Sequence, residues 1–405
     1  MAEQSLGDRL AQVRRRRSLT QEELAQAAGV SVATIFKLEQ GQRTSARVST
    51  LHALARALGV TTSELFGPGA ELDPDTNGDS ASLVALRRIL APAPGAPSSI
   101  DDLPTLNDLK ASISAVSRTG LHCRYTDTLA ELPPLISSAQ AAADHYQGQD
   151  GLGAQHLLAR AYLTTGTVLA QFRHEDLAYD AIIRAITAAQ QAGDPILHAS
   201  GIYHLGWIFI RQGRFDDAED VTVRTAEAIE PSISRSSPAH IAIWGRLLVE
   251  ASAAAARNNR PAASRDLLTL ARSAAARLAH DRFDYDQHWS SFGPTTVAAI
   301  EVENAMTTGD ADHALHLARQ IPTSDHIQLV TRMRHLLTVA EASVATRNYE
   351  TSVKTLQTVR DAAPEWLKNQ RLARHVVRDL LDATSIRRAK NVGLAELADY
   401  IGVRP

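Results

Sequence analysis

The sequence predicts an all-α chain in two dissimilar parts, and three observations carry that prediction. Alanine is abundant, aromatic residues make up only 5%, and runs of β-branched residues are short, a composition that favours helices over strands. Residues 20–44, TQEELAQAAGVSVATIFKLEQGQRT, read as two short helices joined by a glycine. From about Thr105 onward, small residues and turn signals recur at intervals of about 38 to 51 residues, as expected of stacked helix pairs. The expected architecture is an N-terminal five-helix domain, a linker and a C-terminal α-solenoid.

The first helix is expected over about Leu6 to Arg17, with Leu10 and Val13 inward. It closes on the run Arg14 to Arg17, which suits the negative end of a helix dipole. Thr20 can cap the second helix and form a capping box with Glu23, leaving Leu24, Ala25 and Ala28 on the inner side. Gly29 ends that helix, because reversing the chain within a few residues requires a left-handed residue and glycine adopts it without a Cβ clash. Val30 plugs the corner and Ser31 caps a third helix. There Ile35 and Leu38 form the buried seam, while Val32, Ala33, Thr34 and Lys37 face outward. A fourth helix, Val48 to Leu58, buries Leu51, Leu54, Ala55 and Leu58 and stops at Gly59. A short fifth spans Thr62 to Phe66. Two helices meeting at such a corner, the second with a small and polar outer face, form the helix-turn-helix that enters a DNA major groove. The arginine run then lies near the phosphates.

The segments TQEELA, Gly29, Ser31, Ile35, LEQG at Leu38 to Gly41 and TLHALARALGV at Thr50 to Val60 resemble the Xre family of phage-repressor-like regulators. The resemblance covers residues 5–67, about a sixth of the chain, and implies binding to double-stranded DNA. In the family's pattern Gln21 donates to a phosphate, Ser31 opens the recognition helix, and Val32, Ala33 and Lys37 meet base edges. Thr34, Gln42, Arg43 and Thr44 would meet phosphates. The glutamine-rich recognition helix of some phage repressors is missing here. Val32 and Ala33 can only touch a thymine methyl, which leaves Lys37 for a guanine edge or a phosphate and part of the specificity for DNA shape.

Charge supports this division. The chain of 405 residues carries a net charge of -3, but residues 1–67 hold nine Lys or Arg against six Asp or Glu, a balance of +3 that leaves -6 for the remainder. A mildly basic head on an acidic body suits a protein that meets phosphate with one end. The single cysteine, Cys123, excludes an intramolecular disulfide and fits a reducing compartment. With no apolar stretch long enough for a membrane and no apolar core at the start, the expected location is the cytoplasm. Residues 68–104, which include PGAELDPDTNGDSAS after Gly67 and APAPGAPSS, read as a linker, broken by one short helix at Ser82 to Leu90.

The body, residues 105–405, is read from one clear unit. Within Ser200 to Pro231, IYHLGWIFIRQGRFDDAEDVTVRTAEAIEP resembles a tetratricopeptide repeat, with Gly206 and Ala218 at the close approach of two helices and Gly213 in the turn. Gly166 and Ala178 repeat this earlier. Weaker copies place turns near Asn259, Gly309 and Asn348, with small residues at Ala263, Ala314 and Ser352. Stacked pairs form a superhelix whose concave face is lined by first helices. Carrying over the groove-facing positions of such repeats puts Gln171, Tyr203, Trp207, Arg211, Trp244, Glu303 and Asn304 there, although aromatics at helical spacing equally suit a packed core. Rings beside guanidinium and amide groups are what an extended peptide needs.

Nothing in the sequence points to catalysis. HExxH, CxxC, GxSxG, the phosphate-cradling GxxxxGK[ST] and GxGxxG after a strand are all missing, and His313 with His316 is a pair without a third ligand. HDRFDYDQHWSSF at 280–292, rich in His, Asp and aromatics, is expected to be a loop between repeats. An Xre-type head before tetratricopeptide-like repeats resembles the peptide-sensing quorum regulators. That implies a cytoplasmic homodimer on a two-fold operator with no cofactor, no metal and no membrane partner, whose body binds a signal peptide. A small-molecule effector, a partner protein, or an antitoxin or scaffold role are the alternatives.

Overall fold

The computed structural model describes residues 6–42, 48–60, 81–91, 103–232, 235–278, 281–284, 288–321, 327–383 and 393–403. Arg43, Thr44 and the expected helix at Thr62 to Phe66 lie outside them. The fold is all-α, with 20 helices among the described residues and one two-stranded hairpin. The chain divides into two compact units, residues 1–88 and 89–405, and the division falls inside α5 (Ala81–Leu90).

The first unit contains α1 (Leu6–Arg16), α2 (Gln21–Ala28), α3 (Val32–Glu39) and α4 (Val48–Leu58). Leu10, Leu24, Ile35, Leu38, Leu54 and Leu58 form its core, with Val13 and Val30 packed at the edge. The side chain of Leu51, expected in the same core, is not among those described. The Thr20–Glu23 capping box is present, and Gly29 ends α2 with φ 67°. Gly7 lets α1 close on α3, since a Cβ there would sit 2.0 Å from the Leu38 carbonyl oxygen.

In the second unit six helix hairpins follow one another. They are α6 (Leu106–Leu121) with α7 (Tyr125–His145), α8 (Gly148–Gln171) with α9 (Glu175–Gln191), and α10 (Pro195–Arg211) with α11 (Phe215–Ala228). Next come α12 (Pro238–Arg257) with α13 (Pro261–Ala275), α14 (Pro294–Thr307) with α15 (Ala311–Ala318), and α16 (Leu329–Ala345) with α17 (Tyr349–Ala362). Each hairpin turns on one left-handed residue: Cys123, Arg173, Gly213, Asn259, Gly309 and Arg347. In all six, the next residue donates its N–H to the carbonyl five positions back, as Arg214 does to Phe209 at 2.8 Å. That bond satisfies a helix-end carbonyl that would otherwise have no partner.

Small residues permit the close packing inside each pair. A Cβ on Gly206 would lie 2.6 Å from Thr222 Cγ2, and one on Gly166 would lie 2.6 Å from Ile182. In the next pair the contact is made by Ser252 and Ser264, whose hydroxyls are 3.0 Å apart, so the small residue is Ser264 and not Ala263. Ala314 and Ser352 are fully buried at the corresponding positions.

The segment expected as a loop is a hairpin instead, β1 (Arg282–Asp284) antiparallel to β2 (His288–Phe292). Phe292 anchors it, fully buried over Gly245, where a Cβ would fall 2.1 Å from the ring. Asp281 accepts hydrogen bonds from the backbone N–H groups of Thr295 and Thr296, both at 2.8 Å, and so caps α14.

After the hairpins come α18 (Pro364–Asn369), α19 (Arg371–Ala383) and α20 (Leu394–Tyr400). These return to the first pairs. Thr126 of α7 donates its backbone N–H (2.8 Å) and hydroxyl (3.0 Å) to Glu365 of α18, and Arg371 lies 3.5 Å from Glu175 of α9.

Candidate DNA-reading face and effector groove

In the head, α3 is held so that one face is free. The Ser31 hydroxyl accepts from the Thr34 N–H at 3.2 Å and lies 2.8 Å from the Thr34 hydroxyl. This fixes the first turn, with Ile35 and Leu38 buried and Val32, Ala33, Phe36 and Lys37 outward. Val32 and Phe36 are 38% and 45% exposed, two of the few large apolar side chains so open among the described residues. Phe36 was absent from the sequence-based set. Its place between Val32 and Ala33 on the helical wheel could have identified it. Gln42 is exposed beyond the end of α3.

Gln21, read from sequence as a phosphate contact, and Arg14, in the run expected to lie near the phosphates, have internal partners. Arg14 grips Glu39 through Nε at 2.7 Å and Nη2 at 2.8 Å, and gives Nη1 to the Leu19 carbonyl at 2.8 Å. Gln21 donates through Nε2 to Glu39 Oε2, the oxygen that Arg14 Nη2 also meets, at 2.7 Å. Burial disfavours the charge on Glu39, but the bonds from Arg14 and Gln21 outweigh it and hold the carboxyl below the usual range. Arg14 is therefore part of the frame, and Gln21 keeps only its second amide hydrogen and its carbonyl for an outside partner. Arg15 and Arg16 remain exposed.

In the body, a cavity of about 400 Å³ runs along the row of first helices, α8, α10, α12, α14 and α16, and ends against α18 and α19. Gln171, Tyr203, Trp207, Arg211 and Glu303 line it, as the repeat pattern predicts. Trp244 and Asn304 do not. The face that α12 presents carries Arg246, Glu250 and Arg257, and Trp244 lies off it, half-buried. Asn304 points between helices, donating to the hydroxyls of Ser252 (3.0 Å) and Ser264 (3.2 Å).

Rings and guanidinium groups alternate along the wall. The Arg211 guanidinium sits 5.2 Å from the centre of the Trp207 ring and 3.6 Å from Glu175, and burial lowers its pKa to about 10. Arg246 lies 4.6 Å from the centre of the Tyr203 ring and donates to its hydroxyl at 2.6 Å. Glu303 is gripped by Arg257 and by Arg334, the latter at 2.6 and 2.9 Å. Burial alone would raise its pKa, yet the two arginines hold it at about 2. Burial keeps His204 neutral, with its pKa lowered to about 4. The sequence reading missed Arg246, Glu250, Arg257 and Arg334. A spacing of four to seven residues along each first helix, continued from Tyr203 and Trp207, marks them.

Among the described residues no group of three or more His, Cys, Asp or Glu is placed to hold a metal ion, and no helix is long and apolar enough to cross a membrane. A helix-turn-helix head with an open recognition helix, joined in one chain to tetratricopeptide-like repeats around a groove, defines a DNA-binding transcriptional regulator. The comparisons agree. Residues 10–65 match the family described as Helix-turn-helix. An uncharacterised HTH-type transcriptional regulator of Sinorhizobium fredii, y4dJ, is 42% identical over 66 residues, which are 16% of this chain and 84% of that protein. The chain belongs to the HTH-type transcriptional regulators. Two solved structures are weakly similar to the chain. PlcR of Bacillus thuringiensis, in complex with the peptide PapR7 and DNA, has 11% identity and a TM-score of 0.32, over 78% of this chain and 95% of that one. The apo competence regulator ComR of Streptococcus vestibularis has 11% identity and a TM-score of 0.28, over 82% and 97%.

Proposed function

We propose that this regulator is a homodimer whose body binds a short peptide in the groove and thereby alters how its two heads engage a two-fold operator. In this reading residues 1–67 are the DNA-binding domain, 68–104 the tether and 105–405 the sensor. Gln21, Ser31, Val32, Ala33, Thr34, Lys37, Gln42, Arg43 and Thr44 contact DNA, with Phe36 added. The observation that carries the sensing role is the pairing of Trp207 with Arg211 and of Tyr203 with Arg246 on adjacent helices facing one cavity. Rings accept apolar side chains, while amide and guanidinium groups accept backbone and carboxylate.

The cavity volume favours a second reading as well, since about 400 Å³ also suits a small-molecule effector. Dimerisation is motivated by the small area one recognition helix buries on DNA, and two-fold symmetry would set half-sites about 34 Å apart. Genome-wide mapping of sites bound by the purified protein, followed by gel shifts with the products of neighbouring genes, tests the proposal. A peptide that changes operator affinity supports it. Light scattering that gives a monomer with and without DNA removes the dimer.

A further inference from the structure

Charge pairing in the groove is uneven. Glu303 is saturated by Arg257 and Arg334, Arg211 and Arg371 share Glu175, and Arg246 is engaged with the Tyr203 ring and hydroxyl. Nε and Nη1 of Arg246 and Nε of Arg211 are shut away from solvent, so these nitrogens are out of a ligand's reach. Glu250 is different. It is only 5% exposed, it lines the cavity, and among the described residues its carboxylate accepts no hydrogen bond and forms no ion pair. Gly206 leaves room for its stem, since a Cβ there would stand 3.4 Å from Glu250 Cγ.

A buried carboxylate without a donor is costly, and it persists in folded proteins where something other than stability requires it. The charges facing Glu250 from the surrounding helices are Arg246 and Arg257 of its own helix, Arg334 of α16 and Glu303 of α14. Burial pushes its carboxyl upward, while the arginines, Arg246 first, act to keep it charged. Among the described residues, Glu250 is the most deeply buried carboxylate of the cavity lining that has no partner, with the less buried Glu341 beyond it, and what it offers a ligand is an acceptor.

We propose that Glu250 receives an ammonium group of the groove's ligand. This rests on the groove being the sensor site, and it narrows the ligand to a class: a free peptide amino terminus, a lysine side chain, or the amine of a small molecule. Charge-assisted hydrogen bonds from such a group satisfy the carboxylate as no neighbouring side chain does.

The test uses the full chain and Glu250→Gln, which keeps the shape and removes the charge. Without any ligand, the variant is expected to unfold about 1–3 °C higher than the wild type, because the burial of a carboxylate that no donor meets is relieved. A lower midpoint would mean that the carboxylate is internally satisfied, and would overturn the inference. For binding, the protein is challenged with three random heptapeptide pools: one with free amino termini, one N-acetylated but containing lysine, and one N-acetylated and lysine-free. Retention confined to the first or second pool, and reduced at least tenfold by Glu250→Gln, supports the assignment and identifies the source of the ammonium. Equal retention of the third pool, or retention indifferent to the substitution, overturns it and leaves the peptide reading standing. If no pool is retained, the peptide reading falls. The assignment is then decided by butylammonium and spermidine, which must stabilise the wild type against heat and not Glu250→Gln.

Discussion

Arg14 of α1 and Glu39 at the end of α3 form a two-pronged ion pair, Nε to Oε1 at 2.7 Å and Nη2 to Oε2 at 2.8 Å, that ties the recognition helix to the first helix. Both side chains are largely buried. Removing one partner strands the other, so Arg14→Ala is expected to destabilise the head by about 2–4 kcal/mol. Arg14→Lys recovers only part of this, since an ammonium cannot make the fork. The pair also sets an acid limit. The Glu39 carboxyl titrates below its unfolded value, so its contribution is complete above the ordinary glutamate range and fades as pH falls through the lower folded value. Urea unfolding of the wild type and Glu39→Gln between pH 3 and pH 7 should show a steeper acid loss in the wild type.

Much of the head was legible because its signals are local. Thr20, Glu23, Gly29 and Ser31 each act within four residues, and the apolar period of α3 separates Ile35 and Leu38 from the outer face. The Arg14–Glu39 pair was not legible because its partners lie 25 residues apart, and a run of four arginines reads identically whether it faces phosphate or carboxylate. In the body, Gly213, Gly309 and Asn259 announced their turns and Asn348 the one that pivots on its neighbour Arg347, whereas the turns at Cys123 and Arg173 carried no such signal. There the helix-end hydrogen bond sustains a left-handed conformation in a residue with a Cβ, and no sequence cue marks it. Trp244 and Asn304 were misplaced for a related reason: on a helix buried on most sides, a shift of one or two positions turns a side chain from the groove into the seam.

The outward face of α3 offers Val32, Ala33 and Phe36 to the major groove, and none of these can hydrogen-bond a base. Thymine methyl groups are the complementary feature. On a duplex enriched from a random pool, replacing thymines in the half-site by deoxyuridine removes only methyl groups. Each methyl in contact should weaken binding by about fourfold, from about 0.8 kcal/mol of apolar burial. Phe36→Ala should bind both duplexes more weakly and abolish most of the difference between them. Equal affinity of the wild type for both would remove the methyl reading.

Lys37 is exposed on the same helix, and its role can be separated by salt. A phosphate contact contributes about 0.9 to the slope of log affinity against log salt, so its loss in Lys37→Ala lowers the slope by about that amount on every duplex. A guanine contact instead costs about 1–3 kcal/mol on the preferred sequence and relaxes specificity at one position. Filter-binding titrations from 50 to 200 mM salt on the enriched duplex and a scrambled one distinguish the two. A variant indistinguishable from the wild type on both would exclude Lys37 from the interface.

In the body, Glu303 joins three helices, accepting from Arg257 of α12 and Arg334 of α16 while sitting on α14. The two guanidinium groups compete for one carboxylate, so each is satisfied only while it is charged. Glu303→Gln leaves both cations without a hydrogen-bonded counter-ion, with only the Glu250 carboxylate facing them across the wall, and should cost about 2–4 kcal/mol. Its folded pKa of about 2 lies below the unfolded value. The stabilisation is therefore fully present above the ordinary glutamate range and is lost as pH falls towards 2. Replacing Glu303, Arg257 and Arg334 together by leucine removes the charges along with the need for pairing, and should recover most of the loss while altering the groove. Thermal unfolding of the single and triple variants at pH 7 and pH 4 measures this directly. A single variant as stable as the wild type at pH 7 would show that water, and not Glu303, balances the two arginines.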